Sequence, residues 1–176
     1  LAPFLIGVAF FSMTGALIDL GERIQLFRQS FGVSMRRLAG LPRSAIGTAI
    51  AHFGLGVCLL GIASEAYYGA ERILSMKPGQ TVAVRGYDLT FDNLVSRPGP
   101  NYSELVAKFT VKSGADTIGV MEPSKRTFAA RKSSTTEAAL LTRGFSQLYL
   151  SLGDAGGDGS IAVRLYHNPL VLLIWL

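Results

Sequence analysis

The chain has 176 residues, of which 49% are hydrophobic and 16% are charged, and its formal net charge is +5. Such a low charge fraction, combined with a positive mean hydropathy, argues against an ordinary water-soluble domain of this length. The one cysteine excludes an intrachain disulfide and a paired-thiol redox motif.

The first apolar segment covers residues 1–18 and contains no charged side chain. It lacks the basic region and the small-residue cleavage site of a signal peptide, and it opens on Leu1 rather than methionine. We therefore predict a transmembrane helix here, within a fragment of a larger multi-span membrane protein.

A basic connector, residues 19–43, follows the first apolar segment. Its five arginines are Arg23, Arg28, Arg36, Arg37 and Arg43. Only Asp19 and Glu22 oppose them, so the positive-inside rule predicts a cytoplasmic location for this short connector. This distribution explains the net positive charge without a nucleic-acid partner.

The second apolar segment, residues 44–64, is long enough to cross a bilayer and has His52 near its middle. An imidazole at hydrocarbon depth is costly unless a partner satisfies it. Three interpretations remain open: a hydrogen bond to a neighbouring helix, a proton relay, and metal ligation. Haem iron is a natural partner in the third, because a neutral imidazole is a good axial donor.

Helical periodicity gives His52 mostly small neighbours. The residues that share its face are Thr48, Ala49, Leu55 and Gly56. A separate stripe repeats every seven residues and consists of Gly47, Gly54 and Gly61. We expect the helix to pack through this glycine stripe and to present His52 on the other side. Cys58 is interpreted as a small apolar helix residue, which cannot bind the same iron as His52.

Residues 65–167 differ from the helices, because short runs of β-branched and aromatic residues alternate with turn formers. The predicted strands are residues 80–84, 87–95, 105–112, 117–121, 148–152 and 161–166. In the second of these, Tyr87, Leu89 and Phe91 should face one side. A short helical turn is predicted over residues 136–142, where Thr136 could act as the cap.

Five to eight strands in a region of this size predict an all-β domain, a small antiparallel barrel or sandwich, with an OB-like barrel as one form. Simple alternation across the membrane puts the domain on the side opposite the connector, which is the periplasm in a bacterium. The fold class is therefore an integral membrane α-helical protein with an extracytoplasmic all-β domain.

Residues 168–176 begin a third apolar segment that covers only about 13 Å as a helix, so we expect a truncated transmembrane helix. His167 precedes it and is interpreted as an interfacial or surface histidine. Since His52 lies about 18 Å below the outer end of its predicted span, His167 cannot complete a bis-histidine iron site with it.

A basic patch in the predicted β-domain consists of Lys125, Arg126, Arg131 and Lys132. Two interpretations remain open for it: a solvated strand edge, or a docking surface for acidic groups of a partner.

Several segments, in one order, resemble the C-terminal part of the CcmF/NrfE family of cytochrome c haem lyases. The segment around His52 reads Ala49-Ile50-Ala51-His52-Phe53-Gly54-Leu55-Gly56. The others are residues 60–63, 76–79, 97–102, 123–126, 135–139, 148–153 and 163–166, ahead of Pro169 and residues 174–175. The resemblance covers residues 44–176.

The resemblance implies part of an inner-membrane, multi-span enzyme that attaches haem covalently to the CxxCH sites of apocytochrome c, after receiving it from a periplasmic haem chaperone. It also implies haem b in the membrane, held by two transmembrane histidines, which passes electrons, with quinol as their source, to the incoming haem. His52 matches one of these axial ligands by its position in the motif. We expect the second ligand to come from N-terminal sequence that is missing here or from another maturation subunit.

Other hallmarks of the family have no counterpart in this chain. Its one tryptophan is Trp175, so the tryptophan-rich periplasmic motif is absent, and the flanking histidines are absent as well. We therefore do not expect this fragment alone to be catalytic. The alternative is a non-catalytic transporter or scaffold subunit, with a partner-binding β-domain and with His52 as a packing residue.

Overall fold

A computed structural model describes residues 1–130, 133–157 and 159–176. The chain forms two compact units. The first is helical and comprises Leu1–Tyr67 together with Leu170–Leu176, and the second comprises Tyr68–Pro169.

The helical unit contains α1 (Ala2–Ile24), α2 (Phe31–Ala39), α3 (Arg43–Tyr68) and a short 3-10 helix (Val171–Ile174). Among the described residues, α1 and α3 are long and apolar enough to cross a membrane. Their 23 and 26 residues correspond to about 34 and 39 Å of helix, against a hydrocarbon core of about 30 Å. α1 continues six residues beyond the apolar segment, and its last turns carry an ion pair between Asp19 and Arg23.

α1 touches α3 at Gly56. A Cβ atom on Gly56 would lie 2.5 Å from Met13 Cγ and 2.8 Å from the carbonyl oxygen of Ala9, so only a glycine allows this approach.

The expectation that α3 packs through its seven-residue glycine stripe holds at Gly61, where a Cβ would lie 2.9 Å from Ile174 Cγ1 of the 3-10 helix, but it is wrong for the contact with α1. Gly47 and Gly54 have open space where a Cβ would stand, because α1 packs on the opposite face, which Gly56 shares with His52. The expectation that His52 lies on the side away from the helix packing is therefore wrong.

Replacing Gly56 by leucine should therefore push α1 away from α3 and lower the thermal stability of the full-length protein in detergent. Gly54→Leu is the matched control and should have a much smaller effect, because its Cβ meets nothing within 4 Å. Scanning fluorimetry of both variants measures the difference. Equal melting temperatures for the two would contradict the contact.

The second unit is an antiparallel β-sandwich. Its described strands are β1 (Ala70–Met76), β2 (Thr81–Val84), β3 (Tyr87–Pro98), β4 (Tyr102–Ser113), β5 (Asp116–Met121), β6 (Ser124–Phe128), β7 (Ser133–Glu137), β8 (Ala139–Arg143), β9 (Ser146–Ala155) and β10 (Ile161–Asn168). One sheet has the order β1-β10-β9-β8. The other has the order β2-β3-β4-β6-β7, with β5 also paired to β4.

Tight turns connect neighbouring strands. Arg85 and Gly86 form the two-residue loop between β2 and β3, and both have positive φ angles of 46° and 82°. Positive φ at both positions matches the twist of a two-stranded hairpin, and glycine adopts it without strain. The two residues that separate the predicted strands 80–84 and 87–95 thus form a turn, as the sequence pattern requires.

The core lies between the two sheets. Phe91 and Phe109 stack with ring centroids 4.8 Å apart, and both side chains are fully buried. From the other sheet, Leu150, Val163 and Leu165 bury their side chains in the same cluster. Alternate residues of the central strands β3, β4, β9 and β10 face this layer, as the predicted alternation through Leu89 and Phe91 requires.

The sandwich form of the prediction is confirmed, whereas the closed barrel is wrong, because no described strand pairing joins the two sheets. The predicted helical turn over residues 136–142 is also wrong. β7 ends at Glu137 and β8 begins at Ala139, and Leu141 packs against the core while Leu140 is exposed. Pairing with β9 therefore overrides the helix propensity of this segment.

The number of strands was underestimated, since ten are described where five to eight were expected. Sequence patterns did not indicate β1, β6, β7 or β8. The exposed β7 is made of serine, threonine and glutamate, so it has no apolar alternation to detect.

The stack of Phe91 on Phe109 leads to a stability prediction. Phe109→Ala should destabilise the β-sandwich by about 3–5 kcal/mol, because it leaves a cavity beside Phe91. Phe145→Ala makes the same chemical change at a position that is 55% exposed, and should cost much less. Urea unfolding of both variants measures the two values, and a similar loss for both would contradict the described core.

Candidate functional site

His52 lies in α3, and its side chain is on the exposed surface of the helical unit. Counted along the helix, it is about 14 Å from the Arg43 end and about 24 Å from the Tyr68 end. Both distances put the imidazole well inside the apolar length of the helix.

The imidazole is oriented by its own helix. Nδ1 lies 2.9 Å from the carbonyl oxygen of Thr48, one turn earlier. Since a carbonyl oxygen can only accept, Nδ1 carries the proton in this bond, and Nε2 of the neutral ring keeps its lone pair. Metal-ligating histidines have this arrangement, in which the second ring nitrogen donates to a backbone carbonyl and fixes the tautomer.

The surroundings of His52 combine small side chains with further polar bonds. Ser12 of α1 donates its hydroxyl to the backbone carbonyl of His52 over 2.9 Å, which joins α1 to α3 beside the imidazole. Ala49 and Gly56 lie on the same helical face, and both are buried. The space beside Gly56 is filled by Met13 of α1, whereas the imidazole itself is exposed. An exposed imidazole with a free Nε2 lone pair is compatible with ligation of haem iron.

Sequence reasoning did not identify the contributions of Thr48 and Ser12. Thr48 acts through its backbone carbonyl, which no side-chain pattern reveals. Ser12 could have been noticed as a polar residue within an apolar segment. Glu65 was also overlooked: its Oε2 atom is buried and has no hydrogen-bond partner among the described residues.

Cys58 is a free, partly buried thiol in α3, on the helix that carries His52. No group of three or more histidine, cysteine, aspartate or glutamate side chains that could hold a metal ion occurs among the residues the structure describes.

His167 lies within β10 and is half-buried, and its interpretation as an interfacial or surface histidine stays a prediction. Its ring is tilted against Tyr87 with centroids 5.9 Å apart, and its Nδ1 atom is buried without a hydrogen-bond partner in the described residues. The pKa of His167 is lowered from its ordinary value, chiefly because burial disfavours the imidazolium, and also because the Arg85 guanidinium repels it.

The described members of the basic patch are paired with acidic groups. Lys125 Nζ lies 2.5 Å from Oδ1 of Asp154, and its hydrogen bond is the main cause of the lowered pKa of Asp154. The other two residues of the patch, Arg131 and Lys132, lie outside the described residues.

Arg126 is the centre of a polar network. Its Nε lies 3.1 Å from Oε2 of Glu104, and its second nitrogen lies 3.2 Å from Oε1 of Glu137. The guanidinium also lies over the ring of Tyr102, 4.9 Å from the centroid. These contacts link β4, β6 and β7, so Arg126 stabilises the sheet and offers little free charge to a partner.

The lowered pKa of His167 predicts a pH-dependent stability of the β-sandwich. Because the folded pKa lies below the unfolded one, the unfolded chain binds more protons between the two values, and stability falls as the pH drops below about 6.5. His167 is the one histidine of residues 68–169, so its NMR titration is unambiguous. We expect a pKa below 6.5 in the folded sandwich, and a flatter pH dependence of stability in His167→Gln. Titration of His167 at or above 6.5 would contradict this burial.

Comparison with known proteins identifies the family. Residues 67–169 match the family model described as the CcmF C-terminal beta-sandwich. The chain is 55% identical over 99% of its length to the cytochrome c-type biogenesis protein CycK of Bradyrhizobium diazoefficiens, of which it covers 26%. It is 37% identical over 73% of its length to the cytochrome c-type biogenesis protein CcmF of Escherichia coli, of which it covers 20%.

A solved structure of the cytochrome c heme lyase CcmF has the same fold. The match has a TM-score of 0.66 at 15% sequence identity and covers 99% of this chain and 36% of that one. The chain spans about a quarter of the length of the curated relatives it matches. The chain belongs to the CcmF family and corresponds to its C-terminal part.

Proposed function

We propose that the chain is the membrane-embedded C-terminal part of a cytochrome c haem lyase, and that His52 supplies an axial ligand to haem b. The names of its relatives, which are cytochrome c-type biogenesis proteins and a cytochrome c heme lyase, support the general role. The activity of the whole protein requires sequence beyond these 176 residues. The proposal for this part concerns electron transfer to the haem that becomes attached to apocytochrome c.

The observation that carries the proposal is the bond from Nδ1 of His52 to the carbonyl oxygen of Thr48. It holds the ring in the tautomer whose Nε2 can donate to iron. When bound, haem b supplies one-electron redox chemistry. His52 would supply one nitrogen ligand to the iron through Nε2, and the Thr48 carbonyl would hold the plane of the imidazole. A second ligand would come from outside the residues described here.

We further propose that α1 and α3 cross the inner membrane, with the arginine-rich connector on the cytoplasmic side. The charge asymmetry supports this orientation, since five arginines oppose two acidic residues in residues 19–43. The β-sandwich is then periplasmic, where a haem chaperone and apocytochrome c would meet the enzyme, and quinol in the membrane is the proposed electron source.

Contact with these periplasmic partners is assigned to the β-sandwich as a whole rather than to the basic patch. Lys125 and Arg126 are already paired with Asp154, Glu104 and Glu137, so they offer less free charge to a partner than the sequence suggests. Docking through the patch stays a prediction.

The proposal makes a spectroscopic prediction for the full-length protein. His52→Ala should remove most of the b-type absorbance, because the iron loses one axial nitrogen, while membrane insertion and the amount of folded protein stay unchanged. His167→Ala is the matched control, with the same substitution in the β-sandwich, and should keep the absorbance. Optical spectra of reduced and oxidised protein at equal protein concentration measure the result.

An unchanged b-type spectrum in His52→Ala would contradict the assignment of His52. A colourless preparation of the unmodified full-length protein would instead favour the scaffold or transporter alternative, in which His52 is a packing residue. Loss of colour in His167→Ala as well as in His52→Ala would indicate a general loss of structure.

A further inference from the structure

We propose that α2 is an interfacial helix that binds the headgroups of anionic phospholipids. In this arrangement Phe27 and Phe31 enter the acyl region, while Arg36 and Arg37 lie at the level of the phosphates. The inference rests on the proposed membrane location of α1 and α3, and it adds a lipid-binding surface to the connector between them.

The residues of α2 separate into two faces. At about 100° per residue, Phe31, Met35 and Leu38 fall within about 60° of one another. Arg36 and Arg37 lie on the opposite side of the same helix, and both are exposed. A short helix with an aromatic and aliphatic face and a basic face is typical of segments that lie in the plane of a membrane surface.

α2 is fixed to the end of α1 and is not a free linker. Gln25 ends α1 in the left-handed conformation, with φ of 55°, and its N–H bonds to the carbonyl groups of Gly21 and Glu22. The hydroxyl of Ser34 then donates to the carbonyl of Gln25 over 3.4 Å, and Ser34 is fully buried. The direction of α2 is therefore set by the helix that we propose to cross the bilayer.

Two large aromatic side chains of this region have no cover in the described structure. Phe27 is 94% exposed and Phe31 is 70% exposed. They flank the beginning of α2, where contact with water would be costly and contact with acyl chains favourable. α1 and α3 bring both ends of the connector to the same membrane surface. The acyl region beneath that surface is therefore the apolar environment that Phe27 and Phe31 can reach.

The charge of the connector selects the type of lipid. Five arginines oppose two acidic residues, and one of these acids, Asp19, already pairs with Arg23 at 2.8 Å. The excess positive charge beside an apolar face complements a negatively charged leaflet. A zwitterionic surface offers phosphate oxygens but no net negative charge to balance the excess arginines, so we assign the site to anionic phospholipid.

The depth of α2 can be measured by spin labelling of the full-length protein in nanodiscs that contain phosphatidylcholine and phosphatidylglycerol. Labels are placed at Phe31→Cys and, on the opposite face, at Arg36→Cys, with other reactive cysteines replaced. We expect the label at 31 to be relaxed by oxygen, which partitions into the membrane, and the label at 36 to be relaxed by a water-soluble nickel chelate.

Two outcomes would overturn the proposed location. If both labels respond mainly to the nickel chelate, the helix lies in water. If the label at 31 responds to neither reagent, Phe31 is covered by protein rather than by lipid.

Lipid selectivity is tested by counting the phosphatidylglycerol molecules retained on the purified protein by native mass spectrometry. Arg36→Gln combined with Arg37→Gln should weaken retention by about tenfold, since each arginine near a charged surface contributes several-fold. The matched control, Arg143→Gln with Arg164→Gln, removes the same charge from the β-sandwich and should leave retention unchanged. Equal retention by the two double variants would overturn the assignment to anionic lipid.

These measurements are separable from the haem proposal. The arginine variants should keep the b-type absorbance, because His52 and Thr48 are unaltered. Failure of the lipid inference would appear in labelling and retention, and failure of the haem proposal would appear in the spectrum of the unmodified protein.

Discussion

A neutral imidazole in an apolar helix must use both of its ring nitrogens, and His52 accounts for one of them locally. Its Nδ1–H is bonded to the Thr48 carbonyl of the same helix, so the chain itself sets the tautomer. What remains is the lone pair of Nε2, which needs a proton donor or a metal at hydrocarbon depth. Packing, proton transfer and iron ligation all begin from this state of the ring. Membership in the CcmF family is what favours iron among the three.

The polar interactions of the β-sandwich are mostly internal. Arg126 connects Glu104, Glu137 and Tyr102 across three strands, and Lys125 is held by Asp154. Such a network stiffens a domain whose core is a thin layer of aliphatic side chains around two stacked phenylalanines.

Sequence patterns predicted the parts of the structure that depend on local chemistry. The position of His52, the hairpin turn at Arg85-Gly86 and the buried side of β3 follow from hydropathy, backbone preference and alternation. The errors concern pairing between distant residues. Residues 139–141 favour a helix when considered alone, but pairing with β9 stabilises them as strand β8. The spacing of Gly47 and Gly54 likewise does not indicate where a second helix packs, and α1 packs against α3 at Gly56 instead.

The central claim is that Nε2 of His52 is bonded to haem iron, and restoration of the missing ligand tests this bond directly. The full-length His52→Gly protein would be purified with and without added imidazole, and its low-temperature electron paramagnetic resonance spectrum would be recorded. We predict that imidazole restores the low-spin iron signal of the unmodified protein and that the signal is lost without it. A low-spin signal that persists in His52→Gly in the absence of imidazole would contradict the account.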